Sequence, residues 1–197
     1  LENDRIDEAI TLLESRKASG KLRPQIYHYL ASLYMANDQH EKAISVAEEG
    51  VQRYPDNVEL LYQKGLVLER SGHHEEAGQA MKKVLALDDQ HAEALNFLAY
   101  AYAVENRHLD EALEYAERAV KRDPAPHILD TLGWVYYRLG RFTDALEVIE
   151  EASRQLSEDA VIFEHLGDIH IALGNREKAR TAFERALQLQ PDNIELR

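Results

Sequence analysis

Apolar and polar positions along this chain alternate in a grammar that repeats. An apolar-periodic segment over Gln25–Ala36 predicts a helix, the polar run Asn37-Asp38-Gln39-His40 predicts a turn, and Glu41–Arg53 predicts a second helix. Small residues mark the period. Ala31, Gly65, Ala99, Gly133 and Gly167 stand 34 residues apart, and a second series runs Ala9, Ala43, Ala77, Ala112, Ala145 and Ala179, with only Ala112 displaced by one. Gly72, Gly140 and Gly174 fall at the same turn site, with Asn106 in their place in the third unit, where a left-handed backbone favours Gly or Asn. Tyr54-Pro55-Asp56, Asp123-Pro124 and Gln190-Pro191-Asp192 close second helices, because proline cannot continue them.

A period of this length predicts an all-α fold: a right-handed superhelical α-solenoid of antiparallel helix pairs, in which each unit buries its apolar face only by stacking on its neighbours. We expect one array over 1–197, with a half repeat at 1–23 that supplies a second helix only. Five full repeats follow at 24–57, 58–91, 92–125, 126–159 and 160–193, and a truncated further helix begins at 194–197. Ile6, Ala9, Ile10 and Leu13 take second-helix apolar positions in the half repeat and read as an open edge. In the third unit, Asn106-Arg107-His108-Leu109 lengthens the turn by one residue and the Pro124-Ala125-Pro126 junction shortens to restore register.

These units resemble the tetratricopeptide repeat family over essentially the whole chain. The residues that carry the likeness are Leu132-Gly133, Tyr136, Gly140, Ala145 and Ala152, and again Leu166-Gly167, Gly174, Ala179, Phe183, Ala186 and Pro191. The chain departs from the family pattern at the fourth place of every repeat, where Tyr27, Leu61, Leu95, Leu129 and Phe163 replace the usual Trp. Segments 94–101, 109–112 and 128–138 look more particularly like bacterial exported proteins of this family, whose members act as envelope adaptors. The resemblance implies an adaptor in the bacterial periplasm or envelope, with a cytoplasmic setting as the alternative.

Charge narrows the partners. Against 23 Lys and Arg stand 36 Asp and Glu, a formal charge of −13 that repels phosphate backbones and anionic lipid, so nucleic acid is not an expected partner. The chain has no cysteine, which excludes disulfide and thiolate chemistry. No apolar run approaches the length that spans a bilayer, so direct membrane insertion is not expected either.

In a stacked array the first helices line the concave face, and their second, fifth, ninth and twelfth positions point into the groove. Those positions include His28, Ser32 and Met35, then Tyr62, Leu66 and Glu69, Asn96 and Tyr100, His127, Asp130, Trp134 and Tyr137, and finally Glu164 and Asp168, with Arg70 and Arg138 one place further on. Trp134 is the sole tryptophan, and a large side chain with few rotatable bonds suits an anchor. The expected partner-binding residues are Tyr62, Arg70, Asn96, Tyr100, His127, Asp130, Trp134, Tyr137 and Arg138, facing a peptide segment or an amphipathic helix of a partner protein. The packing alternative has Trp134, Tyr100 and Tyr137 resting on one another. The Lys, Asn and Arg clamp that some family members use on carboxylate tails is missing, because His28, Ser32 and Leu66 occupy its places.

Nine histidines invite a metal or catalytic reading, but His40, His73, His74 and His108 fall in turns and none pairs along a helix at metal-ligand spacing. His127 and Asp130 share a helical face and are expected to pair beside Trp134, yet no nucleophile accompanies them. His170 takes a packing place filled by Tyr34, Leu68, Tyr102 and Tyr136 elsewhere, and reads as a partly buried, hydrogen-bonded histidine. The expectation is a non-enzymatic scaffold with no cofactor and no metal. Two other readings are self-association through open solenoid ends and the regulatory part of a larger enzyme.

Overall fold

The structure, a computed structural model, describes residues 2–19 and 23–192. Among them it contains eleven helices and no strand: α1 (Glu2–Ala18), α2 (Pro24–Ala36), α3 (His40–Arg53), α4 (Val58–Arg70), α5 (His74–Leu87), α6 (Ala92–Val104), α7 (Leu109–Arg122), α8 (Pro126–Arg138), α9 (Phe142–Gln155), α10 (Ala160–Ala172) and α11 (Arg176–Leu189). The further helix expected at 194–197 lies outside the described residues.

Local chemistry sets these boundaries. Asn57, His91 and Asp159 cap α4, α6 and α10 by accepting from the backbone N–H of Leu60, Ala94 and Val161 at 2.9, 3.2 and 2.9 Å. Pro24 and Pro126 stand in the first turns of α2 and α8, where a missing N–H costs nothing.

One device ends every first helix. The N–H groups of Gln39, His73, Arg107, Arg141 and Asn175 donate back five residues to the carbonyls of Tyr34, Leu68, Tyr102, Tyr136 and His170, at 2.8 to 3.0 Å. Within that loop Asp38, Gly72, Asn106, Gly140 and Gly174 take positive φ, the left-handed step that reverses the chain. The glycine and asparagine sites expected from the sequence hold that conformation, and Asp38 adopts it without being either. The extra residue of the third turn is absorbed by His108, also left-handed at φ 50, just before α7.

The chain forms two compact units, 1–89 and 90–197. In the first, Tyr27, Leu30, Ala31, Tyr34, Ala43, Val46 and Ala47 form a buried core onto which α1 folds through Ile10. Ile10, expected at an open edge, is buried at 9% exposure, because α1 packs its apolar stripe on α2. In the second unit, Ala99, Tyr102, Ala112, Ala116, Leu132 and Val135 form one cluster, and Leu129, Ala145, Ile149, Ile162 and Ile169 another.

The small residues let paired helices close up. A Cβ on Gly65 would run into Met81, one on Gly133 into Ile149, and one on Gly167 into Phe183. Within each unit every second helix also supports the next first helix, so first helices become neighbours: α2 beside α4 in the first unit, and α6, α8 and α10 in the second.

Candidate functional site

Side-by-side first helices bring together residues about one repeat apart. His127 Nε2 on α8 lies 3.1 Å from Glu93 Oε1 on α6. His165 Nδ1 on α10 lies 2.8 Å from Asp130 Oδ1 on α8. In the first unit Gln63 donates to the Ser32 hydroxyl at 3.0 Å, and His28 sits 3.8 Å from Glu59. Within each unit, polar contacts therefore link neighbouring first helices.

The centre of the second unit's face is built on Trp134. Its indole stacks on the Tyr137 ring, with centroids 4.8 Å apart and planes inclined by 15°, and on the His165 imidazole at 4.3 Å and 17°. Both contacts suit the offset stacking that ring quadrupoles favour. The Arg138 guanidinium lies 5.7 Å from the indole centroid, within cation–π range. Tyr137 in turn meets Phe142 at 5.6 Å.

Beneath this platform Asp130 and His165 are 7% and 8% exposed, so their bond is shielded from water and fixes the imidazole against the indole. Thr131, also buried, donates to the carbonyl of His127 one turn back at 3.1 Å. Asp168, one turn along α10 from His165, has its carboxyl pushed above the usual aspartate range by burial, with the charge of His165 pulling the other way.

The expected residues distribute as follows. Asp130, Trp134, Tyr137 and Arg138 converge on one patch. His127 lies on the same helix, but its partner is Glu93 and not Asp130, because Asp130 turns to α10 instead. Asn96 on α6 keeps a buried Oδ1 without a hydrogen-bond partner, and Tyr100 exposes 44% of its surface. Tyr62 and Arg70 stand on α4 of the first unit.

Of the two halves of the packing alternative, the contact between Trp134 and Tyr137 is present. His165 was missed by the sequence reading. It occupies the sixth place of its helix, outside the groove register, and only its separation from Asp130 by one repeat plus one residue signals the pairing. His170 is buried as expected, but its Nδ1 has no hydrogen-bond partner.

Stacked antiparallel helix pairs that carry a rigid aromatic and polar face define an all-α solenoid of the scaffold class. The chain belongs to the tetratricopeptide repeat family: models of that repeat match residues 62–127 and 131–194, and a further one matches 24–67. A tetratricopeptide repeat-containing protein of Pseudomonas aeruginosa is 33% identical over 85% of this chain and 29% of its own length. The human protein O-mannosyl-transferase TMTC1 is 27% identical over 87% of this chain and 20% of its length. The chain thus spans less than a third of either relative. The solved structure of YrrB, described as a tetratricopeptide repeat protein with an unusual peptide-binding site, superimposes with a TM-score of 0.70 at 20% identity, covering 93% of this chain and 95% of that one. The fold is typically a non-catalytic scaffold, and the family generally mediates protein–protein interaction.

Proposed function

We propose that this chain is a non-enzymatic adaptor that holds a peptide segment or amphipathic helix of a partner protein against its first helices. The observation that supports this most is Trp134, half-buried, stacked on both Tyr137 and His165 and braced from below by the bond between Asp130 and His165. Such a platform is ordered before any partner arrives, so little conformational entropy is lost on binding. Trp134 and Tyr137 supply contact area. Arg138, Asp168 and the pair of His127 with Glu93 set register through charge and hydrogen bonds. Tyr100 and Asn96 on α6 extend the surface in the second unit, and Tyr62 and Arg70 offer the corresponding contacts on α4 of the first.

We extend the reading to assembly of a bacterial envelope complex. Its support is the likeness of 94–101 and 128–138 to exported bacterial proteins, together with the Pseudomonas relative. The test uses the sole tryptophan as its own reporter. Proteins captured by this chain from envelope and lysate fractions are compared with those held by a folded Trp134→Ala variant, and each candidate is then titrated while Trp134 emission is followed. A partner that shifts the emission saturably and loses about 2 kcal/mol or more of affinity with Trp134→Ala supports the reading. Partners held equally by both proteins, with no change in emission, overturn it.

A further inference from the structure

The eleventh place of the first helices α2 and α8 carries a polar contact that is missing at the same place of α10. Tyr34 on α2 donates to Glu14 Oε1 of the preceding second helix at 3.0 Å, and Tyr136 on α8 donates to Glu117 Oε1 of α7 at 3.3 Å. A cation sits over each ring, Lys42 at 5.5 Å and Arg141 at 4.3 Å from the centroids. On α10 the place is held by His170, and repeat spacing puts Glu150 of α9 where Glu14 and Glu117 stand. Glu150 instead faces Arg154 at 4.0 Å, and His170 Nδ1, fully buried, has no hydrogen-bond partner.

Space has opened beside His170. His170 is shorter than the tyrosines it replaces, and Ala182 of α11 stands where α9 has Val148. A cavity of about 550 Å³ lies between α10 and α11, with apolar walls from Phe163 and Leu166 and a polar lining that includes His170, Lys178, Thr181 and Arg185 together with the acid Glu184. Lys178 has no acidic partner among the described residues. Arg185 spends one N–H on the carbonyl of Ser157 at 3.0 Å and keeps the others. The acid at this rim, Glu184, accepts from Arg180 at 2.9 Å. Burial first, and then the charge of Lys178, hold the His170 imidazole below its usual range against the opposing charge of Glu150, so the neutral ring faces the cavity.

We propose that this pocket between α10 and α11 binds a carboxylate group, which accepts hydrogen bonds from the His170 imidazole and Lys178 Nζ, with the free N–H groups of Arg185 at the rim. Tyr34 and Tyr136, which take the place of His170 in two other repeats, already pair with carboxylates, those of Glu14 and Glu117. A singly charged acceptor also suits a pocket with Glu184 and Glu150 nearby better than a dianionic phosphate does. This site is separate from the Trp134 face and does not depend on it.

The test follows the imidazole nitrogen resonances of the 15N-labelled chain, with His170 assigned through His170→Gln. The probes are butyrate as a free acid, a blocked Gly-Glu-Gly peptide as a partner's acidic side chain, neutral butyramide, and inorganic phosphate. Saturable shifts at His170 with butyrate or with the peptide are expected, and whichever binds more tightly identifies the source of the carboxylate. Butyramide is expected to cause none. Lys178→Gln, an exposed change, should weaken binding about tenfold or more through loss of a charge-assisted bond. His170→Tyr rebuilds the hydroxyl that faces the acid of the preceding helix, fills the cavity and should abolish binding. Absence of any His170 shift with either carboxylate overturns the proposal, as does an unchanged curve in Lys178→Gln or a response to phosphate alone.

Discussion

Asp130 and His165 show how one buried contact governs a surface. Each is nearly sealed from water by helices α8 and α10, so removing either leaves the other with an unmet hydrogen-bonding group in a low-dielectric place. Asp130→Ala is therefore expected to destabilise the second unit by about 1–3 kcal/mol, measured by urea unfolding, and to release the imidazole from Trp134. Near-ultraviolet circular dichroism of the sole tryptophan should lose intensity before the fold is lost. Asp168 responds in the opposite sense. Burial raises its carboxyl above the ordinary value of 3.8, so folding favours the protonated form. The stability it contributes is complete below that ordinary value and is lost as pH rises through the folded value. Asp168→Asn should consequently raise Tm near neutrality, and the gain should shrink steadily as the pH of the melt is lowered.

At the scale of the element, close approach within helix pairs depends on glycine where any side chain would collide. Gly133→Ala drives a methyl into Ile149 of α9 and is expected to cost about 1–3 kcal/mol by overpacking, read from the urea midpoint. Gly140→Ala is strained for a different reason: it has open space around its Cβ but a φ of 75, so its cost is backbone strain of about 1–2 kcal/mol.

The tyrosines add a pH dependence to contacts between helices and, for Tyr115 and Glu111, within α7. Tyr27, Tyr34, Tyr115 and Tyr136 each donate to a glutamate, and burial followed by the nearby acid raises every one of them, Tyr115 to about 12. The stability held in their protonated forms is complete below the ordinary value of 10 and fades as pH climbs through the folded values. Tm is expected to fall steeply above about pH 10, and Tyr115→Phe should blunt that fall.

For the whole molecule, the two compact units differ in how much stacking each contains. Among the described residues, the unit 90–197 holds three helix pairs, α6 through α11, whereas 1–89 holds two pairs and the single helix α1. Repeat arrays draw stability from interfaces between neighbours, and about three repeats are needed for a stable core. The fragment 90–197 is expected to fold cooperatively alone and to keep the stacked emission of Trp134. The fragment 1–89 should melt at lower temperature, as circular dichroism of the two will show.

The sequence by itself determined the helices, their ends and most of the core, because each of these answers to chemistry within one repeat. Ala31, Gly65, Ala99, Gly133 and Gly167 announced the pair interface, and Gly72, Asn106, Gly140 and Gly174 announced the left-handed step that closes each first helix. Half of the candidate patch was legible too, since Asp130, Trp134, Tyr137 and Arg138 share one helical face. Only the tertiary structure decided the partners across helices. Asp130 turned to His165 and His127 to Glu93, His170 was left without a hydrogen bond at Nδ1, and Ile10 went into the core. Helical periodicity says which way a side chain faces along its own axis. Which neighbour it meets depends on the offset between stacked helices, and that offset is set by the side chains packed between them.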